Sequence, residues 1–349
     1  MAQVLPVGVV RPSPIELVRV RDAFAGTRGL RNSAHFHRVR TGVYAARPAW
    51  DALRPWERYL ARVHAYALVN SDAVFAYESA AAMLGLPVFG EPALIHVYAL
   101  ARTRSRRFGD VFVHSCVAVP ETVTLGAHTM TTPATTTADL MRVLPPPFGL
   151  AVGDAAVSRV QGGMLAVADL EAAAAALPNT RGRALRNLLL PMVDARAESP
   201  GESVSRAVIV WSGFEPPDLQ RVFVTDGITD RTDFWWESAK AIAESDGYGK
   251  YVRATAEETL EGVLAEKRRE DRLRRHCREF GRWDWAACMA VTPVIGELER
   301  LGVPRVAAPR SRLLATMRAN PRSLPRTPAV PRTPVGPSAP AAGAPAARR

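Results

Sequence analysis

Cysteine is scarce in this chain: Cys116, Cys277 and Cys288 are the only three. An odd number without C-x-x-C spacing argues against a disulfide framework and against a cysteine-based zinc knot. Long apolar runs are also missing. One apolar-looking run, Leu170 to Leu177, is an alanine block interrupted by Glu171 and closed by Pro178, and none approaches the roughly 18 apolar residues a membrane helix needs. No charged N-terminal segment leads into an apolar core, so a secretory signal is not expected and a cytoplasmic location, without membrane contact, is. Acidic residues are absent from 303–349, which hold nine arginines. Subtracting those nine from the net +11 leaves +2 for residues 1–302. The high positive charge thus reports the tail. It adds salt-sensitive attraction to DNA without making the rest of the chain a DNA binder.

With 349 residues and 48% hydrophobic content, two folded units plus ends are expected. Pro6, Pro12 and Pro14 precede a short helical candidate, Ile15 to Phe24. Alternating Arg38-Val39-Arg40 followed by Gly42 suggests a hairpin or wing. Apolar residues at Leu53, Trp56, Leu60, Val63 and Ala67 predict a helix over Trp50 to Leu68, and Tyr77 to Leu84 a second, capped by Gly85. Strands at Leu94–Tyr98, Asp110–Val117 and Thr122–Leu125 precede helices at Ala134–Leu144, Phe148–Val160, Val167–Leu177 and Gly182–Met192. Composition turns polar near Asp194 to Pro200. The expected divisions are therefore 1–48, 49–193, 194–302 and a Pro/Arg/Ala-rich tail, 303–349, that cannot bury a core and is expected to be disordered.

The C-terminal module reads as a helix to Trp211, strands near Leu219–Val224, Arg231–Trp235 and Ala241–Ser245, a long helix Ala256–His276, a strand Arg278–Trp283 and a helix Val291–Leu301. If the second and third strands form a hairpin turning between Ser238 and Ala239, opposed positions sum to 477 and Asp233 faces Glu244. Alternation puts Asp246 on the face of Glu244, with Phe234 and Trp236 on the other. Opposed carboxylates repel, unless a hard divalent cation such as Mg2+ lies between them and polarises a phosphodiester. The plainer reading is two solvated acids on an exposed edge.

Asp233-Phe234, then Glu244-x-Asp246-Gly247 and Lys250, then Glu266 to Leu273 and Gly281-Arg282-Trp283-Asp284-Trp285, resemble the PD-(D/E)XK nucleases related to very-short-patch repair endonucleases. The resemblance spans about ninety residues. It implies an α/β nuclease-like domain in which Asp233 and Glu244 hold metal and Glu202, on the preceding helix, assists. Ser199-Pro200-Gly201-Glu202 equally satisfies a capping box with proline at the first helical position. Gln220 is a further candidate. Asp246 stands where the motif carries its lysine, so Lys250 and Lys267 are the substitutes for stabilising the phosphate. For Lys267, a solvated charge ladder is the competing reading.

Arg38 to Tyr44, the helix Trp50–Leu68 and Tyr77 to Pro87 are similar to AbiEi-type antitoxins. That implies a degenerate winged helix-turn-helix followed by an α/β unit, and a nucleotidyltransferase-like toxin as partner. Arg38 and Arg40, with Arg28 and Arg31 beside them, would then contact DNA phosphates; an ordinary basic loop is the alternative. His35 and His37 lack a third ligand, and His276, Cys277 and Cys288 lack zinc spacing. Trp283 and Trp285 either stack on bases or anchor the core. The expectations are therefore an Mg2+-dependent DNA endonuclease, a DNA-binding regulator or antitoxin with an inactive nuclease fold, or an interaction scaffold.

Overall fold

A computed structural model describes residues 9–21, 34–99, 104–115, 118–178, 180–246 and 256–325, with backbone alone at 256–260 and 263. Three sheets and the helices around them give a mixed α/β protein. Among the described residues no helix is long and apolar enough to cross a membrane.

The first sheet is small. Strand β1 (Val18–Arg19) and strand β2 (Phe36–Arg40) both pair antiparallel with β3 (Val43–Ala46), giving the order β1-β3-β2. The hairpin expected at Gly42 forms, and Gly42 takes a φ of 80° at its turn. The helix expected over Ile15 to Phe24 does not form in its described part, because Val18 and Arg19 pair with Tyr44 and Val43. Residues 22–33, with Arg28 and Arg31, lie outside the described residues. The Trp50–Leu68 helix is two helices, α1 (Arg47–Ala52) and α2 (Pro55–Val69). Pro55 supplies no N–H and starts a helix more readily than it continues one.

Strand β4 (Val74–Phe75) leads into α3 (Tyr77–Leu84), which ends as expected on Gly85 in the left-handed conformation. A six-stranded sheet then assembles from β5 (Ile95–Tyr98), β6 (Arg106–Phe108), β7 (Val111–His114), β8 (Thr122–Leu125) and β9 (His128–Thr131), in the order β6-β7-β5-β4-β9-β8. Four helices follow: α4 (Pro133–Val143), α5 (Pro146–Val157), α6 (Val167–Ala176) and α7 (Arg183–Leu189).

The C-terminal module is α8 (Pro200–Trp211), β10 (Asp218–Thr225), β11 (Ile228–Trp236), β12 (Ala241–Asp246), α9 (Ala256–Arg274) and β13 (Glu279–Asp284). Its sheet runs β10-β11-β12-β13, antiparallel except for the parallel pair β12–β13. That parallel pair requires a crossover, which α9 provides. Phe234, Trp236 and Trp283 bury one face of this sheet under α8, while Trp235, Ile242 and Phe280 pack with Leu273 of α9 on the other. Trp283, stacked on Phe234, is therefore a core anchor. Helices α10 (Trp285–Ala290) and α11 (Thr292–Arg300) close the module.

The core does not stop near residues 194–200. One apolar cluster joins Phe75, Met130, Leu140 and Phe148 to Val208, Phe234 and Leu298. Asp154 of α5, fully buried, takes both its oxygens to the Arg206 guanidinium of α8 at 2.7 and 2.9 Å. The tail expected to be disordered from residue 303 is packed as far as residue 325. Val303 is buried, and α12 (Ser311–Leu314) and a short 3-10 turn, Ala315–Arg318, which carries the buried Met317, follow it. Burial of these few apolar side chains against the module overrides a composition that alone would not fold. Residues 326–349 lie outside the described ones.

Candidate functional site

The β11–β12 hairpin turns through Glu237 to Lys240, with Lys240 at a φ of 50°. Its register pairs Phe234 with Ala243, Trp235 with Ile242 and Trp236 with Ala241, the sum of 477 that the sequence predicts. Continuing it by one residue sets Asp233 against Glu244. Asp233 Oδ2 accepts the Ser245 backbone N–H at 2.8 Å. Both acids act on the same guanidinium, since the charges of Glu244 and Asp233 both favour the cationic form of Arg269. They therefore lie on the α9 face of the sheet, as alternation requires.

What meets them there is arginine. Glu244 is 1% exposed. Arg269 binds it with both amino groups, at 2.5 and 3.0 Å, and Arg282 adds a contact at 3.1 Å. Arg269 also donates to the Arg231 carbonyl, and Arg282 to Glu266 at 3.0 Å. Asp246 lies 3.6 Å from Arg282 Nε. Burial opposes the charge on Arg269, yet the hydrogen bonds and charge of Glu244 more than offset it. Helical phase decides which basic residue arrives: positions 266, 269, 270 and 273 share a face, so Leu273 enters the core while Arg269 reaches the acids. Lys267 falls on the solvent side and is exposed. Of the two readings of Lys267, the solvated charge ladder is the one observed, and Lys267 does not reach the acids as a substitute for the motif lysine. Lys250 lies outside the described residues.

Glu202 does not join the pair. Its N–H donates to the Ser199 side chain at 3.1 Å, and its carboxylate accepts from the Glu198 N–H at 2.8 Å and from Gln220 at 2.9 Å. This is the capping arrangement, shifted by one residue on the return bond. Burial pushes the Glu202 carboxyl above its usual range. Gln220, which enters β10 with a φ of 57°, is therefore a partner of Glu202.

A divalent ion needs oxygen donors that are free to turn toward it. Among the described residues no three His, Cys, Asp or Glu side chains converge on one point. Glu244, the acid best placed to hold metal, is already neutralised by two guanidiniums. As arranged, these residues do not fit Mg2+.

The N-terminal basic residues divide by role. Arg38 is exposed on β2. Arg40 is committed to Asp110 at 2.7 Å and lies over the Tyr66 ring, so it ties the small sheet to the six-stranded one. Sequence reasoning missed Arg47 and Arg54, both exposed on the same unit. Arg47 braces the chain by donating to the Ala34 and Phe36 carbonyls. His37 stacks on Trp50, and its pKa is lowered by burial and by Arg47.

A second polar cluster was not foreseen. Glu78 of α3, 3% exposed, lies 3.5 Å from His96 of β5. His96 Nδ1 is 2.9 Å from His114 Nε2, and His114 stacks on Tyr77. Arg142 donates to Tyr77 Oη and pairs with the fully buried Asp139. The one local signal was an acid near the start of an alanine-rich helix.

No protein-family model and no solved structure matches the chain. Two uncharacterized Mycobacterium tuberculosis proteins, from strains CDC 1551 / Oshkosh and ATCC 25618 / H37Rv, are each 36% identical to it over 115 residues. The match covers 33% of this chain and 41% of each relative.

Proposed function

We propose that this chain is a DNA-binding regulator of the antitoxin type, whose C-terminal nuclease-like module serves recognition and carries out no metal-dependent hydrolysis. The observation that carries this reading is Glu244: it lies at the position the nuclease motif gives to a metal-binding acid, and two arginines close it. The αβββαβ element order supports kinship with the PD-(D/E)XK fold. The β1-β3-β2 sheet with its Arg38 hairpin supports a winged DNA-binding unit. In this reading Arg38 and Arg54 face phosphates while Arg47 braces the hairpin, the protein works in the cytoplasm, and a nucleotidyltransferase-like toxin is its protein partner, checked by co-purification after co-expression.

DNA binding is tested by fluorescence anisotropy of the full chain with duplex DNA across a salt series. A negative linear slope of log K against log salt is expected. Arg38→Ala combined with Arg54→Ala should reduce that slope by about two, one per lost phosphate contact, and weaken binding on all sequences alike. An unchanged slope would remove these residues from the interface.

The endonuclease reading has one observation in its favour, the shared face of Asp233 and Glu244. It requires Arg269 and Arg282 to leave Glu244 before a divalent ion is held. Mg2+-dependent cleavage lost in Asp233→Ala would favour it.

A further inference from the structure

The Glu78 cluster has a second cation besides Arg142, and it comes from the far end of the described chain. Arg322 donates from Nε and Nη2 to the two oxygens of Glu78, the latter at 2.6 Å, and Nη2 lies 3.1 Å from His96 Nε2. The neighbouring backbone pairs like a strand. Ala93 N–H donates to the Arg322 carbonyl at 2.8 Å, and Leu324 N–H to the Glu91 carbonyl at 2.7 Å. The Glu91 N–H donates to Ser323 Oγ at 2.9 Å, and Asn320 Nδ2 to the Phe89 carbonyl at 3.0 Å.

Two features separate this strap from the surface beneath it. The surface is held without it: Arg62 donates to the Pro92 and Ala93 carbonyls, and Tyr59 Oη donates to the Leu94 carbonyl and lies 2.8 Å from Ser79 Oγ. The strap, in contrast, buries little apolar surface. After the buried anchor Met317, Pro321 is exposed and Leu324 is 42% exposed. Its attachment is one ion pair and a few polar bonds, the composition of a segment that opens locally while the fold persists. The pocket also specifies its occupant. A buried carboxylate beside a neutral histidine demands a cation, and a planar fork that meets both oxygens and reaches a third acceptor is a guanidinium rather than an ammonium. Gly90, at a φ of 76°, leaves room for the serine that follows, since a Cβ there would meet Ser323 Oγ at 2.3 Å.

We infer that Glu78, His96 and the Glu91–Ala93 edge form a recognition site for an extended peptide carrying Arg-Ser, filled in this chain by its own residues Asn320 to Leu324 as a detachable latch. A partner that presents the same pair in extended form competes for the site and displaces the latch.

Two measurements on the full chain test this. In hydrogen exchange of the wild type, the Ala93 and Leu324 amides should exchange faster than the Val97 amide of β5. Equal protection of all three would make the latch part of the permanent fold and overturn the proposal. In the second, a labelled peptide with the sequence of residues 318–325 is added in trans. The Arg322→Ala chain should bind it at least about tenfold more tightly than the wild type, whose own latch competes, and Glu78→Gln added to that variant should undo the gain, given the usual strength of bidentate arginine–carboxylate pairs. A peptide with lysine in place of arginine should bind more weakly. Equal binding by wild type and Arg322→Ala, or indifference to Glu78→Gln, would contradict the assignment.

Discussion

Glu244 and Glu78 present the same problem, a carboxylate with almost no access to water, and both are answered with arginine. Removing one partner of such a pair strands a charge. Arg269→Met should therefore destabilise the chain by about 3 kcal/mol, while Glu244→Leu with Arg269→Met should recover much of that loss, because the charge goes with its partner. Urea denaturation of the two variants checks this; equal losses would mean that Arg269 does not neutralise the acid. The histidine pair gives a pH dependence. Burial lowers the pKa of His96 to about 4 and that of His114 to about 3, both from 6.5. Burial works to raise the Glu78 carboxyl, but Arg322 outweighs it and holds it below the usual range. All three groups bind protons more readily in the unfolded chain, so their stabilisation is complete above about pH 6.5 and is lost as pH falls toward the folded values. The urea midpoint should drop steadily between about pH 6.5 and 4, and less steeply in a His96→Asn, His114→Gln double variant. A flat profile would place these rings in water.

At the scale of elements, much was legible where a local rule acts alone. The hairpin register followed from alternation and a four-residue polar turn, and the end of α3 from Gly85. The start of α8 followed from Ser199-Pro200-Gly201-Glu202, and here the cap is a stabilising feature rather than a metal site. Ser199→Ala should lower the thermal midpoint through a loss of about 1 kcal/mol. A neutral result would assign the cap to the Glu198 backbone bond alone. Illegible were β4 and β6, strands of two and three residues with too little length to show a period. Lys267 and Arg269 could not be told apart as inward residues, because the phase of α9 is set by Leu273 meeting Trp235, Ile242 and Phe280, a contact among distant segments.

The whole molecule adds what no window of sequence contains. Arg322 reaches Glu78 across 244 positions, and residues 303–325 are ordered by surfaces formed elsewhere. A composition that reads as disordered is held wherever a single Met317 or Arg322 finds a prepared pocket. The continuous core and the Asp154–Arg206 pair also join the N-terminal and C-terminal parts into one packed unit. Changes at the C-terminal module should therefore reach the six-stranded sheet through this shared core.

Incubation of the purified full chain with supercoiled plasmid in Mg2+ or Mn2+ tests most directly whether Arg269 and Arg282 have closed the acid site. DNA should be bound and left intact, and Arg269→Ala alone should not start cleavage, since Arg282 still holds Glu244 and no three acids among the described residues are grouped to hold a metal ion. Nicking by the wild type that disappears in both Asp233→Ala and Glu244→Ala would contradict this, and would make the two acids a working metal site.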